Sequence, residues 1–253
     1  MAKPRFKYRP NTDDLGNFMS IVLHNEYVLP SRLDPEGAVI DVGAHVGSFA
    51  IAAYARGARN VWCFEPERSN FIALAENVAN LAPHVRAYNL AVWRSDVAIN
   101  SLRYVPSEVL ERTGGGHVFG GETATQEVEA VRFDSIVDMA SSGVRRIALV
   151  KLDCEGSEWP ILLSSGRLDL VDAIVGEFHE IGGPNMDKIT TQQSHPRSIP
   201  PAAQVDGYEA YTVDVLGKFL SDRGFSVEAV PTPGHEWIGK FWATRGRPRW
   251  RSS

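Results

Sequence analysis

The sequence is short of several things, and each shortage removes a class of protein. Only two cysteines occur in 253 residues. They are Cys63 and Cys154, with no Cys-x-x-Cys pair, so neither a disulfide framework nor a zinc site is expected. Basic residues do not outnumber acidic ones: 26 Lys and Arg against 31 Asp and Glu leave a net charge of −5. A broad nucleic-acid surface needs the opposite balance. The local exception, Arg245 to Arg251, reads as a solvated tail or as a contact for phosphate or an acidic partner. No apolar run is long enough to span a membrane; the longest, residues 38–55, is broken by Asp41 and His45. The opening Met1-Ala2-Lys3-Pro4-Arg5-Phe6-Lys7 lacks the apolar core of a signal peptide, so a reducing cytoplasm is expected. Internal repeats and interdomain linkers are lacking too. With 43% apolar residues, the composition suits one α/β domain over residues 1–253.

What is present starts at Val39-Ile40-Asp41-Val42-Gly43-Ala44-His45-Val46-Gly47-Ser48-Phe49. A short β-branched strand, Ala38 to Val42, runs into a glycine turn and then a helix from Ser48 to Ala55. Glycines between a strand and a helix start let a ligand approach bare backbone. Asp41, at the end of the strand, is expected to face that ligand. The next strand, Asn60 to Phe64, ends in Glu65-Pro66. An acidic residue there takes the hydroxyls of a ribose in doubly wound sheets, because a carboxylate accepts two hydrogen bonds from a diol. The unit therefore proposes a nucleoside ligand. The dinucleotide fingerprint Gly-x-Gly-x-x-Gly is not met, since His45 stands where its second glycine belongs. The pattern Asp-x-Gly-x-x-x-Gly with a following Glu-Pro resembles instead the S-adenosylmethionine site of class I methyltransferases. The resemblance implies cofactor contacts from Asp41, Gly43, Ala44, His45, Gly47, Ser48, Phe49, Glu65 and Pro66. Further on, Val85 to Val92 reads as a third strand, and Ala91 and Asp96 at its end are candidates to read the adenine.

Acid–base chemistry concentrates in two later strands. Arg146 to Asp153 carries Lys151 and Asp153 on one face, by strand alternation. Asp153-Cys154-Glu155-Gly156-Ser157-Glu158 follows, with a helix from Glu158 to Gly166. Asp172 to His179 carries Glu177 and His179 on one face. Ligands of open α/β sheets bind at strand carboxyl ends, so these residues are expected to meet in one crevice; the alternative is a salt-bridged strand end without chemistry. Around it, Asn11 to Tyr27 reads as a helix, within an N-terminal extension of residues 1–36 that caps the pocket or covers a sheet face. Gly114 to Gly121 reads as a loop at the site mouth or a plain surface hairpin, and residues 182–207 as a lid insertion. Tyr211 to Arg223 is a helix. Ser226 to Val230 and Trp237 to Thr244 form a closing antiparallel pair.

The strings Val39 to Gly47, Phe64-Glu65-Pro66, Leu149-Val150-Lys151-Leu152-Asp153-Cys154-Glu155-Gly156-Ser157-Glu158 and Gly176-Glu177-Phe178-His179 together resemble the FkbM-type methyltransferases. The resemblance covers about residues 36–181. It implies a class I, Rossmann-like three-layer α/β sandwich: a mostly parallel seven-stranded sheet with a C-terminal antiparallel hairpin. It also implies S-adenosylmethionine-dependent O-methylation of a hydroxyl on a small molecule, such as a secondary metabolite or sugar. In that reading Asp153 lies nearest the methionine or acceptor end, and His179 or Asp153 is the base. Lys151 holds a carboxylate or polarises the acceptor oxygen, with Glu177 beside it. Asp153, Glu155, Glu177 and His179 are the candidate ligands if Mg²⁺ takes part. The competing readings are an NAD-dependent oxidoreductase, a non-catalytic nucleoside-binding scaffold and, disfavoured by the acidic balance, an RNA methyltransferase.

Overall fold

The computed structural model describes residues 6–107, 115–117, 125–144, 146–185 and 196–246. Seven strands form one sheet. In chain order they are β1 (Ala38–Val42), β2 (Val61–Phe64), β3 (Val85–Tyr88), β7 (Ile147–Leu152), β8 (Ala173–His179), β9 (Phe225–Thr232) and β10 (His235–Arg245). Their order across the sheet is β3-β2-β1-β7-β8-β10-β9. The pairs from β3 to β8 are parallel, and β10 is antiparallel to both β8 and β9. This is the class I methyltransferase arrangement. Strand order reverses at β1, so the carboxyl ends of β1, β2, β7 and β8 open onto one crevice.

The central strands are buried on both faces, which is why they read as continuous apolar runs. On one face α2 (Ser48–Ala55) and α3 (Arg68–Val78) pack with Phe49, Ile51, Leu74 and Val78. On the other, α4 (Phe133–Ser141), α5 (Glu158–Leu163) and α6 (Val213–Ser221) contribute Phe133, Trp159, Leu162 and Phe219. Trp159 is wholly buried, stacks on Tyr211, and donates its indole N–H to the His179 carbonyl at 2.6 Å. That bond fastens α5 to the end of β8. A small second sheet, in the order β4-β6-β5, combines β4 (Ala91–Trp93), β5 (Ser101–Tyr104) and β6 (Gln126–Arg132).

Three expectations change. The third strand breaks at Asn89-Leu90, because the Asn89 amide donates to the carbonyls of Glu65 and Pro66 at 2.8 Å; β3 stays in the main sheet and β4 leaves it. The N-terminal helix is α1 (Asp14–Phe18) continued by a wider π turn, Met19–Leu23. The centre of the expected lid, residues 186–195, lies outside the described residues, and none of its described part lines the crevice. Residues 201–204 are held instead by Arg94, just past the end of β4, which donates to the carbonyls of Ala202 and Gln204. No helix among the described residues is long and apolar enough to cross a membrane.

Candidate active site

The crevice is a cavity of about 880 Å³. One half is built by the β1 turn. Gly43 has φ +72°, and a Cβ there would sit 1.9 Å from the Asp153 carbonyl oxygen. Only glycine lets the β1 turn pass so close to the end of β7. Gly47, also left-handed at φ +92°, lies outside the cavity lining. A side chain there would strike Leu74 at 2.9 Å, so a glycine at this position allows the close contact between α2 and α3. Ala44, His45, Ser48, Phe49, Glu65, Pro66 and Ala91 do line the cavity. The Ser48 hydroxyl is buried there without a hydrogen-bond partner among the described residues.

Glu65 is the carboxylate of this half. Its Oε2 accepts from the His45 backbone N–H at 2.8 Å, and its Oε1 from the Glu67 N–H at 3.0 Å. Burial pushes its pKa up to about 7, against the pull of those two donors. Burial likewise lowers His45 to about 4, so its ring is neutral. Glu67 fastens the neighbouring loop by accepting from the Ser107 N–H and hydroxyl at 2.9 and 2.6 Å. Beyond Ser107, Gly115, Gly116 and His117 of the glycine-rich loop reach the cavity wall; Gly114 and residues 118–121 lie outside the described residues.

Asp41 does not face the cavity. It is wholly buried, and in the β1–β7 register it stands opposite Lys151. Neighbours in parallel register point to the same face, so the ammonium lies 3.3 Å from the Asp41 carboxylate. Lys151 also donates to the carbonyls of Gly43 (2.6 Å) and Val42 (3.2 Å). Burial works against its charge, but Asp41 and Asp153 hold it protonated. The lysine thus ties the glycine turn down from below. Asp96 is also away from the cavity: it is paired at 2.6 Å with Arg94, the residue after β4.

The other half gathers charge. Asp153 Oδ2 accepts from the Tyr27 hydroxyl at 2.6 Å and lies 4.0 Å from Lys151. Burial opposes its ionisation, yet Lys151 and Lys240 bring its pKa down to about 2. His179 lies 3.4, 3.5 and 3.6 Å from Glu155, Glu158 and Glu177. Burial alone would lower it; Glu155 and Glu158 raise it to about 10. An imidazolium has no lone pair to offer, so His179 in this state is not a base at neutral pH. Glu155 has a left-handed backbone, φ +55°, and burial lifts its carboxyl to about 7. Glu177 binds Lys240 at 2.6 Å, and Lys240 in turn binds Glu26 at 2.9 Å.

Sequence reasoning missed Tyr27, Glu26 and Lys240. They come from opposite ends of the chain, and only the sheet order brings them together. The lysine set in alternation on β10 was the one available signal.

A family model described as the methyltransferase FkbM domain matches residues 41–227, well over half of the chain. No curated protein matches the sequence. Among solved structures, a Listeria monocytogenes protein described as an S-adenosylmethionine-dependent methyltransferase is 12% identical, with a TM-score of 0.49 over 92% of this chain and 100% of its own. An O-methyltransferase family protein from Burkholderia thailandensis is 10% identical, with a TM-score of 0.45 over 94% of this chain and 60% of that one. A Pyrococcus horikoshii protein described as an RNA methyltransferase is 15% identical, with a TM-score of 0.42 over 96% and 93%. The family match sets aside the oxidoreductase and scaffold readings: the chain belongs to the FkbM methyltransferase family and is an S-adenosylmethionine-dependent methyltransferase.

Proposed function

We propose that the protein transfers the methyl group to a hydroxyl of a small molecule, a secondary metabolite or sugar, in the cytoplasm. The observation that carries this reading is the ionised Asp153 carboxylate at the wall of a cavity whose other half suits a nucleoside. The residues fit the cofactor. The Ser48 hydroxyl, at the start of α2, is a buried donor unpaired among the described residues, Glu65 supplies acceptors for a diol, and the bare Gly43 backbone admits close approach. At about 880 Å³ the cavity sits near the upper end of the usual range for ligand sites, about 300–1,000 Å³. It therefore has room for the cofactor and an acceptor of modest size.

When bound, the cofactor supplies an electrophilic methyl on a sulfonium. The chain's own residues align the acceptor oxygen and remove its proton. Asp153 receives that proton. A carboxylate with a pKa of about 2 is a weak base for a free alcohol. It suffices once the O–C bond is forming, because the oxygen then carries positive charge and its proton is strongly acidic. Tyr27 donates to Oδ2, and Oδ1 is the oxygen proposed to take the acceptor's proton. In the acceptor half Glu26, Asp153, Glu155 and Glu177 are matched by Lys151, His179 and Lys240, so it is the net charge of −5 of the whole chain that disfavours a polyanionic substrate. Retention on heparin at physiological salt would revive the RNA reading. Turnover of hydroxylated small molecules with no uptake of radiolabel into RNA would support a small-molecule acceptor.

Glu65 makes a pH prediction. Its carboxyl is protonated below about 7, and a ribose diol donates best to the ionised form. Glu67, His45 and Arg9 are the titratable groups around it among the described residues; His45 stays neutral down to about 4 and Arg9 stays charged. The affinity for S-adenosylhomocysteine should therefore fall by about tenfold between pH 8 and pH 6, with Glu65→Gln flattening the profile. Calorimetry at the two pH values checks this; a flat wild-type profile would remove Glu65 from the ribose.

One observation favours a metal-assisted variant of the same reaction. Single ligand atoms of Asp153, Glu177 and His179 lie within 4.8 Å of one another, a donor set that oxygen-seeking cations such as Mg²⁺ accept. The fit is incomplete: Glu177 is held by Lys240, and His179 would have to give up its proton. Proton removal by Asp153 does not depend on such an ion. Turnover lost in EDTA and restored by Mg²⁺ would establish the metal; full turnover in EDTA would dismiss it.

A further inference from the structure

The family match begins at residue 41, yet the segment before it walls the same cavity with Asp13, Gly16, Asn17, Ile21, Glu26 and Tyr27. Tyr27 and Glu26 anchor the end of that segment on Asp153 and Lys240, and its start is held by the ion pair of a half-buried Arg9 with Asp14. Asp14 is fully buried and takes three bonds from Arg9: Nε to Oδ2 at 2.9 Å, Nη2 to Oδ1 at 2.8 Å, and the backbone N–H to Oδ2 at 2.9 Å. The pair reaches Glu65 by two routes. Arg9 Nη2 also donates to Asn70 Oδ1 at 2.8 Å, and the Asn70 amide reaches Glu65 Oε1 at 3.5 Å. Asp14 Oδ1 lies 3.5 Å from His45 Nε2, and the His45 backbone N–H donates to Glu65 Oε2 at 2.8 Å. His45 has a left-handed backbone, φ +50°. A non-glycine residue keeps that conformation only when its surroundings over-determine it; Asp14 meets the neutral His45 ring as a close polar contact at 3.5 Å without a hydrogen bond.

We propose that Arg9 and Asp14 are positioning residues for the cofactor, acting through His45 and Asn70 to hold the Glu65 carboxylate in its ribose-binding orientation. The cofactor site thus extends into a segment that precedes the family-matched region. Each oxygen of Glu65 takes one bond from a residue that the Arg9–Asp14 pair touches, so loss of the pair loosens the carboxylate on both sides and leaves the Glu67 N–H, 3.0 Å from Oε1, as its independent anchor. The assignment rests on the reading of Glu65 as the ribose ligand.

A double-mutant cycle on the full chain tests it, with S-adenosylhomocysteine as the calorimetric probe. Asp14→Asn, Glu65→Gln and the double variant are titrated beside the wild type. Asp14→Asn should weaken binding by about tenfold in the wild-type background and by less than about twofold in the Glu65→Gln background, the signature of coupled residues. Should Asp14→Asn melt below the assay temperature, Arg9→Met with Asp14→Leu replaces the pair by apolar groups and is read in the same cycle. Unchanged affinity, or equal losses in both backgrounds, would overturn the positioning role alone. A wild type that does not bind the probe, or Glu65→Gln without effect, would overturn the Glu65 reading and the inference with it.

Discussion

Lys151→Met should lower stability by about 3–5 kcal/mol, the usual cost of leaving one partner of a buried ion pair behind. Asp41 is wholly buried, and the lysine 3.3 Å away is its sole ion-pair partner among the described residues. Burial already pushes the Asp41 carboxyl up, so without Lys151 it would bind a proton or unfold the strand end. The same ammonium satisfies the Val42 and Gly43 carbonyls, and the glycine turn would loosen with it. Urea unfolding midpoints measure the effect. Asp41→Leu combined with Lys151→Met should regain part of the loss, because it removes the orphaned charge. A Lys151→Met protein with the wild-type midpoint but no turnover would reverse the assignment and make the lysine a polarising group for the acceptor.

The elements that could be read in advance are those whose local pattern and tertiary role agree. β1 needs a β-branched run and α2 an unbroken alanine-rich one, and neither element depends on a distant partner for its bounds. The closing hairpin was equally legible, because Pro233-Gly234 separates two alternating runs, although the strands extend further than alternation alone indicated. Three things were not legible. Asn89 breaks the third strand through side-chain bonds to Glu65 and Pro66, a choice that no local propensity encodes. The direction in which Asp41 points is decided by its register against Lys151, and register is a property of two strands. Tyr27 and Lys240 flank Asp153 from opposite ends of the chain, with the Lys240 ammonium 5.5 Å from the Tyr27 ring centre. The carboxylates of the site could be named from the sequence. Their protonation states could not, because these depend on which cation each one meets.

Asp153 carries the largest functional expectation. Asp153→Asn should reduce methyl transfer by about 10²–10⁴-fold, the range for removing a positioned general base. The amide keeps the shape of the side chain, and its carbonyl still accepts from Tyr27, so the effect belongs to the lost charge. Binding of S-adenosylhomocysteine should stay within about threefold, which separates a catalytic loss from a lost cofactor contact. Tyr27→Phe provides a graded comparison: it leaves the Asp153 charge but frees Oδ2, and the expected loss is about tenfold, in line with one hydrogen bond to a charged group. The two variants therefore rank as Asp153→Asn well below Tyr27→Phe, and Tyr27→Phe below the wild type. If Asp153→Asn turns over at the wild-type rate with unchanged cofactor affinity, the proton must leave by another route. Glu155, lifted by burial to about 7 and facing the same cavity, would then be the group to replace, because its proton affinity suits a base working near neutral pH.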